Sequence, residues 1–456
     1  MRRRDVLKAA AATGLAAACG RPPPLQPYVP PEPELTATAS PTRWERLGSA
    51  EPAPVVGTVE SNAFPLGVTS GDVADGRIIV QTRYTGAAPL GLRVWSDTKR
   101  LELPMTPDDA GFVHTDVEGL DPDTPYSYAF VELDTQERRS PIGRFRSALA
   151  EADAKPIVLG AVSCTSTGRD LSALQHASAR DDLNAFLFLG DTAYCDGASS
   201  LQEYRVKWQG SLGRPLYQAL RKNVPVIATW DDHEVDNDWN PELTGMAKLQ
   251  NARASFFEHL PIRRSAVAPE RVWRSIRFGK TAEVFVLDSR SERKPSSIPT
   301  MMQQYISPEQ LAWLKLALVS SPCTFKVLMN SVPISQFPFS GFNVDSWHGY
   351  AQQRRELLEY IDANVEGVLW VSGDHHFASI GRVSPSGPGS RQLETLAGPG
   401  AQSSSILWRS VTGSQWDFAS DENNYLAIHL DPSTREARLV FWGIDGTKLK
   451  DQRYTL

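Results

Sequence analysis

Val224-Pro225-Val226-Ile227-Ala228-Thr229-Trp230-Asp231-Asp232-His233-Glu234 is the stretch that decides the fold. Its first half is a short continuous apolar run, the pattern of a strand buried on both faces. Its second half sets four ionisable groups directly after that strand, where they repel one another unless a cation neutralises them. The same design recurs along the chain. Pro156–Val162 ends in Ser163-Cys164, and Asn184–Leu189 ends in Gly190-Asp191-Thr192-Ala193-Tyr194. Phe325–Met329 ends in Asn330, and Gly367–Val371 ends in Ser372-Gly373-Asp374-His375-His376. A sixth run, Glu283–Leu287, precedes Asp288-Ser289-Arg290. Helical stretches separate several of these runs, so residues 150–456 read as an α/β layered domain. Open α/β sheets place their ligands off the carboxyl ends of the strands. Singly, a Gly-Asp after a strand is usually a turn and a lone Tyr usually half-buried packing. Five strand ends carrying donor residues are not explained that way.

Working outward, residues 57–149 have another texture. Short alternating segments such as Arg77–Arg83, Gly91–Trp95, Thr115–Leu120, Tyr126–Val131 and Gly143–Arg146 are divided by turn material such as Asp121-Pro122-Asp123-Thr124-Pro125. This predicts a small immunoglobulin- or fibronectin-like β-sandwich ahead of the layered domain.

The amino-terminal end is a targeting segment, kept apart from the fold. Arg3-Arg4-Asp5-Val6-Leu7-Lys8 followed by the Ala-rich run Ala9–Ala18 resembles a twin-arginine export signal over residues 1–18. That run is too short to span a bilayer. Ala16-Ala17-Ala18-Cys19 loosely matches a lipoprotein cleavage box, which predicts a lipid at Cys19. Residues 19–56 are rich in Pro, Glu, Thr and Ala and read as a disordered tether. The expected location is periplasmic or cell-surface, with the twin-arginine machinery as a partner.

The formal net charge is −6, and the first 18 residues contribute +3 of opposite sign. An acidic body of this kind excludes general nucleic-acid binding, and an anionic substrate then needs metal ions or local Arg. Four Cys in 456 residues are no disulfide framework. Cys164, Cys195 and Cys323 remain beyond the tail, an odd number, so at least one is free or a metal ligand.

These motifs resemble the PhoD-like alkaline phosphatases, a branch of the metallophosphoesterase superfamily. The resemblance is carried by Phe64–Asp72, Gly190-Asp191-x-x-Tyr194, Trp230–Asn237, Leu287–Arg290, Glu309–Leu314 and Gly373–His376. It implies a metallophosphoesterase sandwich and hydrolysis of phosphate mono- or diesters at a two-metal site. By that resemblance Cys164, Asp191, Tyr194 and His376 form one metal site. Asp191, Asp232, Asn330 and Asp374 form the other, with Asp191 bridging. Thiolate, phenolate and imidazole suit a Lewis-acidic transition metal such as Fe³⁺. An all-oxygen set suits Ca²⁺, with Mn²⁺ as an alternative. The family likewise uses iron with calcium.

The mechanism expected from the two-metal template is in-line attack by a metal-held hydroxide. His233 contacts the phosphate and the leaving oxygen, and Arg290 clamps the phosphate. Asn237, His375 and Asp231 are further substrate contacts, while Trp230, Trp313 and Trp347 are core or wall. A small-molecule, lipid or polymer phosphate ester is the expected substrate and a monomer the expected state. Gly381–Arg391 and Gly398–Ser414 are Gly/Ser/Pro-rich and are expected as a lid. The competing reading is a surface-anchored adhesion protein with a degenerate metal domain.

Overall fold

Strand alternation explains why the buried runs are apolar throughout. In Ala185–Phe188, Ala185 and Leu187 face one core while Phe186 and Phe188 face another. In Phe325–Met329, Phe325, Val327 and Met329 enter the first core and Leu328 a third. Successive side chains of a strand point to opposite faces, so two faces of packing demand two sets of apolar residues. A computed structural model describes residues 44–47, 57–134, 138–339 and 344–456.

Two sheets enclose the central core. One has nine strands, in the order Lys448–Thr455, Glu436–Gly443, Asn424–Asp431, Ile157–Val162, Ala185–Phe188, Val226–Ala228, Val68–Ala74, Arg77–Arg83 and Phe112–Glu118. The other has seven: Arg274–Phe278, Ala282–Val286, Phe325–Met329, Val368–Ser372, Leu393–Leu396, Ala378–Arg382 and Trp416–Ser420. Helices cover both outer faces. Trp208, Tyr217, Leu220 and Phe256 pack on the nine-stranded sheet, and Leu314, Leu357 and Ile361 on the seven-stranded one. The result is a four-layer α/β/β/α sandwich. Helix Leu201–Leu212 starts where the sequence dictates: Ser200 and Glu203 form a reciprocal capping box.

The amino-terminal strands divide between two sheets. Glu45–Arg46, Lys99–Met105, Leu90–Trp95, Pro125–Glu132 and Gly143–Arg146 form a separate five-stranded sheet. Val68–Ala74, Arg77–Arg83 and Phe112–Glu118 instead extend the nine-stranded sheet, through the parallel pair Val226↔Gly71. The β-rich segment therefore shares a sheet with the layered domain. Only glycine fits the joint, because a Cβ on Gly71 would lie 2.3 Å from the Val226 carbonyl oxygen. Beside it, buried Asp72 accepts from Arg274 Nε and Nη2, each at 2.7 Å, which ties this segment to the seven-stranded sheet as well.

Of the targeting segment and the tether, residues 1–43 and 48–56 lie outside the described residues. Residues 44–47, expected as disordered tether, are instead ordered: Glu45–Arg46 pairs with Lys99 and Arg100, and Trp44 Nε1 donates to the Glu118 carbonyl at 2.8 Å. No helix among the described residues is long and apolar enough to cross a membrane.

Candidate metal centre

The parallel strands of both sheets deliver their carboxyl ends to one place. Cys164, Asp191 and Asp231–His233 come from the nine-stranded sheet, and Arg290, Asn330 and Asp374–His376 from the other. Local backbone aims the donors. Cys164 (φ 55°), Asp191 (φ 54°), Asp374 (φ 65°) and His376 (φ 57°) all occupy the left-handed region, which non-glycine residues rarely adopt. Gly190 (φ 109°) lets the Asp191 loop lie against Asp231, whose Cβ would stand 2.5 Å from a Gly190 Cβ. Glu234 stitches the two loops together. Its buried carboxylate accepts from the backbone N–H groups of Asp191 (3.1 Å), Thr192 (2.6 Å) and Asp231 (2.9 Å).

Three overlapping donor groups result among the described residues: Cys164/Asp191/His376, Asp191/Asp232/His233 and Asp231/Asp232/Asp374. Within each group the ligand atoms lie within 4.8 Å of one another. Tyr194 joins the first group by donating its hydroxyl to Asp191 Oδ2 at 3.4 Å. Asp191 belongs to two groups and stands between them. Asn330 is fully buried at its expected strand end, where its amide oxygen accepts from Ser289 and its Nδ2 donates to the Val332 carbonyl.

Electrostatics test whether cations fit. Burial pushes the Asp191 carboxyl well up, reinforced by Asp232, Asp231 and Glu234. Burial also raises the Cys164 thiol well above its usual range, with Asp191 adding to it. The Tyr194 phenol moves the same way for the same reasons. These groups resist ionising among themselves, and a cation reverses that logic. Burial lowers His376, which keeps its imidazole neutral as a metal ligand requires. Asp231 Oδ2 is buried without a hydrogen-bond partner. Soft and hard donors, converging and undercompensated, fit bound cations.

Two expected contacts are corrected. Arg290 is not presented as a phosphate clamp. It is fully buried, and its guanidinium donates to Asp231, to Asp345 and, at 3.0 Å, to Asp374 Oδ1. It holds carboxylates together beneath the centre. Asp231 is only 1% exposed and sits in the carboxylate cluster, not on a substrate-facing surface. His375 Nδ1 donates to Asp374 Oδ2 (2.7 Å), and its ring lies 5.1 Å from Phe337. Asn237 is exposed at the rim. Of the expected lid segments, Gly398–Ser414 lies at the centre, with Ala401 N–H donating to the Cys164 carbonyl (3.1 Å). Gly381–Arg391 instead turns at the far end of its strands, where Gly389 N–H donates to Asp362 (2.8 Å).

Sequence reasoning missed Asp196, which accepts from His233 Nδ1 at 2.8 Å and from Asn237 N–H at 2.7 Å. Burial lowers the His233 imidazole, but the bond to Asp196 and the charge of Asp232 outweigh it and raise it overall. Asp196 follows Tyr194 by two residues, a signal that was there to read. Asp345, which also receives Arg293 Nη1 at 2.5 Å, carries no motif at all. Cys195 and Cys323 are buried free thiols.

Against known proteins, the profile described as PhoD-like phosphatase matches residues 159–415, and that of the PhoD-like phosphatase N-terminal domain matches residues 50–149. Alkaline phosphatase D of Bacillus subtilis (strain 168) is 26% identical, covering 70% of this chain and 67% of its own length. A solved structure of PhoD superposes with a TM-score of 0.74 at 21% identity, covering 88% of this chain and 90% of the other. Purple acid phosphatase PPD1 from yellow lupin seeds gives 0.63 at 13% identity, covering 85% and 73%. These two structures bear on the fold alone. Matched over more than half its length by the profile, and with donors at the strand ends where the motifs place them, the chain belongs to the PhoD-like phosphatase family.

Proposed function

We propose that this phosphoric ester hydrolase works through two cations, outside the cytoplasm. The observation that carries the reading is the convergence of Cys164, Asp191 and His376, within 4.8 Å of one another, beside the carboxylates Asp231, Asp232 and Asp374. Cys164, Asp191, Tyr194 and His376 would hold a Lewis-acidic ion such as Fe³⁺. Asp191, Asp232, Asn330 and Asp374 would hold Ca²⁺ or Mn²⁺. Bound there, the ions supply charge neutralisation at phosphorus and a more acidic water.

The chain's own groups do the rest. With Nδ1 engaged by Asp196, His233 has its other ring nitrogen left to donate to a phosphoryl or leaving-group oxygen. Tyr194 stacks on that imidazole at 4.0 Å between centroids and limits its rotation. Arg290 and Glu234 keep the acidic loops in register. Asn237, exposed, and His375, half-buried, would touch the remainder of the ester.

Elemental analysis of the purified protein, with aryl phosphate mono- and diester assays, tests this reading. We expect about two ions per chain and loss of activity on chelation. Asp191→Ala should lower kcat/KM by at least about a thousandfold, since it serves both ions. Full activity in metal-free protein would sink the reading.

Export rests on Arg3-Arg4 and the Ala-rich run. Replacing both arginines by lysine should retain the protein in the cytoplasmic fraction. An unchanged distribution would remove the export assignment.

A further inference from the structure

The six most exposed large apolar side chains among the described residues are Met302 (86%), Leu243 (83%), Met301 (82%), Val267 (79%), Met246 (75%) and Ile406 (70%). All six stand on connections at the end of the sheets that carries the metal centre. Leu243 and Met246 follow strand Val226–Ala228, Met301 and Met302 follow Ala282–Val286, and Ile406 follows Leu393–Leu396. Val267 precedes Arg274–Phe278, which runs antiparallel to Ala282–Val286 and therefore begins at the same end.

Hydrogen bonds hold these connections to the centre and to one another. Asp238 N–H donates to Asp232 Oδ2 at 2.7 Å, just ahead of the Leu243 turn. Ser296 N–H donates to Glu242 at 2.7 Å, which joins the Leu243 and Met301 loops. Trp273 Nε1 donates to Glu292 at 2.7 Å, which brings in the Val267 loop. Ser405 N–H donates to the carbonyl of His376 at 3.0 Å, one residue before Ile406.

Single exposed apolar residues are normal on any protein surface, whereas a grouping of them marks an interaction site. Tips on several separate loops, each largely bare, suit a deformable apolar phase better than a preshaped protein partner. The sequence also supplies a reason for a bilayer to be near. Ala16-Ala17-Ala18-Cys19 resembles a lipidation box, and 24 residues lie between Cys19 and Trp44. A chain of that length spans at most about 80–90 Å, enough to let the body turn its rim toward the membrane that holds it.

We propose that this apolar rim docks on a lipid bilayer, its tips entering the boundary between headgroups and acyl chains. The docking follows from the surface and not from the reaction. Its consequence, that the site faces phosphate esters held at the lipid surface, rests on the phosphoesterase reading.

The test uses full-length protein carrying Cys19→Ser, so that no attached lipid contributes, and flotation with phosphatidylethanolamine/phosphatidylglycerol vesicles. Leu243→Ser, Met301→Ser, Met302→Ser and Ile406→Ser are combined in that background. A matched control combines Val59→Ser, Val206→Ser and Val319→Ser, which lie elsewhere. We expect the rim variant to lose at least tenfold in vesicle partitioning while the control stays within twofold of the parent. Thermal midpoints of both should match the parent, which shows that folding is intact. Equal partitioning of rim variant and parent overturns the proposal. So does a parent that is dimeric by sedimentation and a rim variant that is monomeric, which would assign the surface to a second copy. Binding is read without catalysis, so it can fail while hydrolysis stands, and the reverse.

Discussion

Four residues at the centre, Cys164, Asp191, Asp374 and His376, hold φ between 54° and 65°. Such backbone costs roughly 1–3 kcal/mol per residue, and the site adds the mutual repulsion of buried carboxylates. Both costs persist only because neighbours fix the geometry, Glu234 and Arg290 above all. His233 depends on a single acceptor in the same way. Asp196→Asn keeps the shape but removes the charge that orients the imidazole. We expect a loss of about 1–2 kcal/mol, roughly five- to thirtyfold in kcat/KM, with metal content unchanged. Parent-like kinetics would show that Asp196 does not position His233. At this scale the donor types were legible, because an acidic or thiol residue straight after a buried strand has few structural reasons to be there. The partners were less so. An Arg after a strand reads the same whether it faces phosphate or buried carboxylates, and Arg290 does the latter. Asp345 arrives from a loop distant in sequence, and nothing in its neighbours announces it.

Among the elements, the joint between Val68–Ala74 and Val226–Ala228 is the most demanding. Gly71→Val would drive a side chain into the Val226 carbonyl and into Pro261, whose Cγ would lie 2.6 Å from the new Cβ. Overpacking against backbone should cost about 2–3 kcal/mol and lower the thermal midpoint; a midpoint equal to the parent's would mean that the two strands part easily. Arg77–Arg83, Gly143–Arg146 and Phe325–Met329 form with the limits their sequence pattern predicts. Other strands escaped for physical reasons. Lys448–Thr455 is a polar edge with no buried residue, and Leu393–Leu396 is a four-residue strand with no alternation to detect. Lys99–Met105 mixes charge and Pro104 into a half-buried strand with one buried residue, Leu101. A polar edge leaves no hydrophobic pattern to read, and a buried strand as short as Leu393–Leu396 leaves too little of one.

Over the whole molecule, the compositional change near residue 150 marks a real difference in packing, yet the nine-stranded sheet runs straight across it. Which strands of a β-rich segment will join a neighbouring sheet is a question of tertiary pairing, and periodicity carries no trace of it. The central strand Ile157–Val162 lies between Ala185–Phe188, close in sequence, and Asn424–Asp431, near the other end of the chain, where Val158 pairs with His429. Its second edge therefore has no partner until residues 424–431 have been synthesised. Pairings this distant delay closure and leave strand edges open meanwhile. A nascent chain that stops before Asn424 exposes that edge in place of a finished sheet, so closure of the central sheet waits on a strand more than 250 residues downstream.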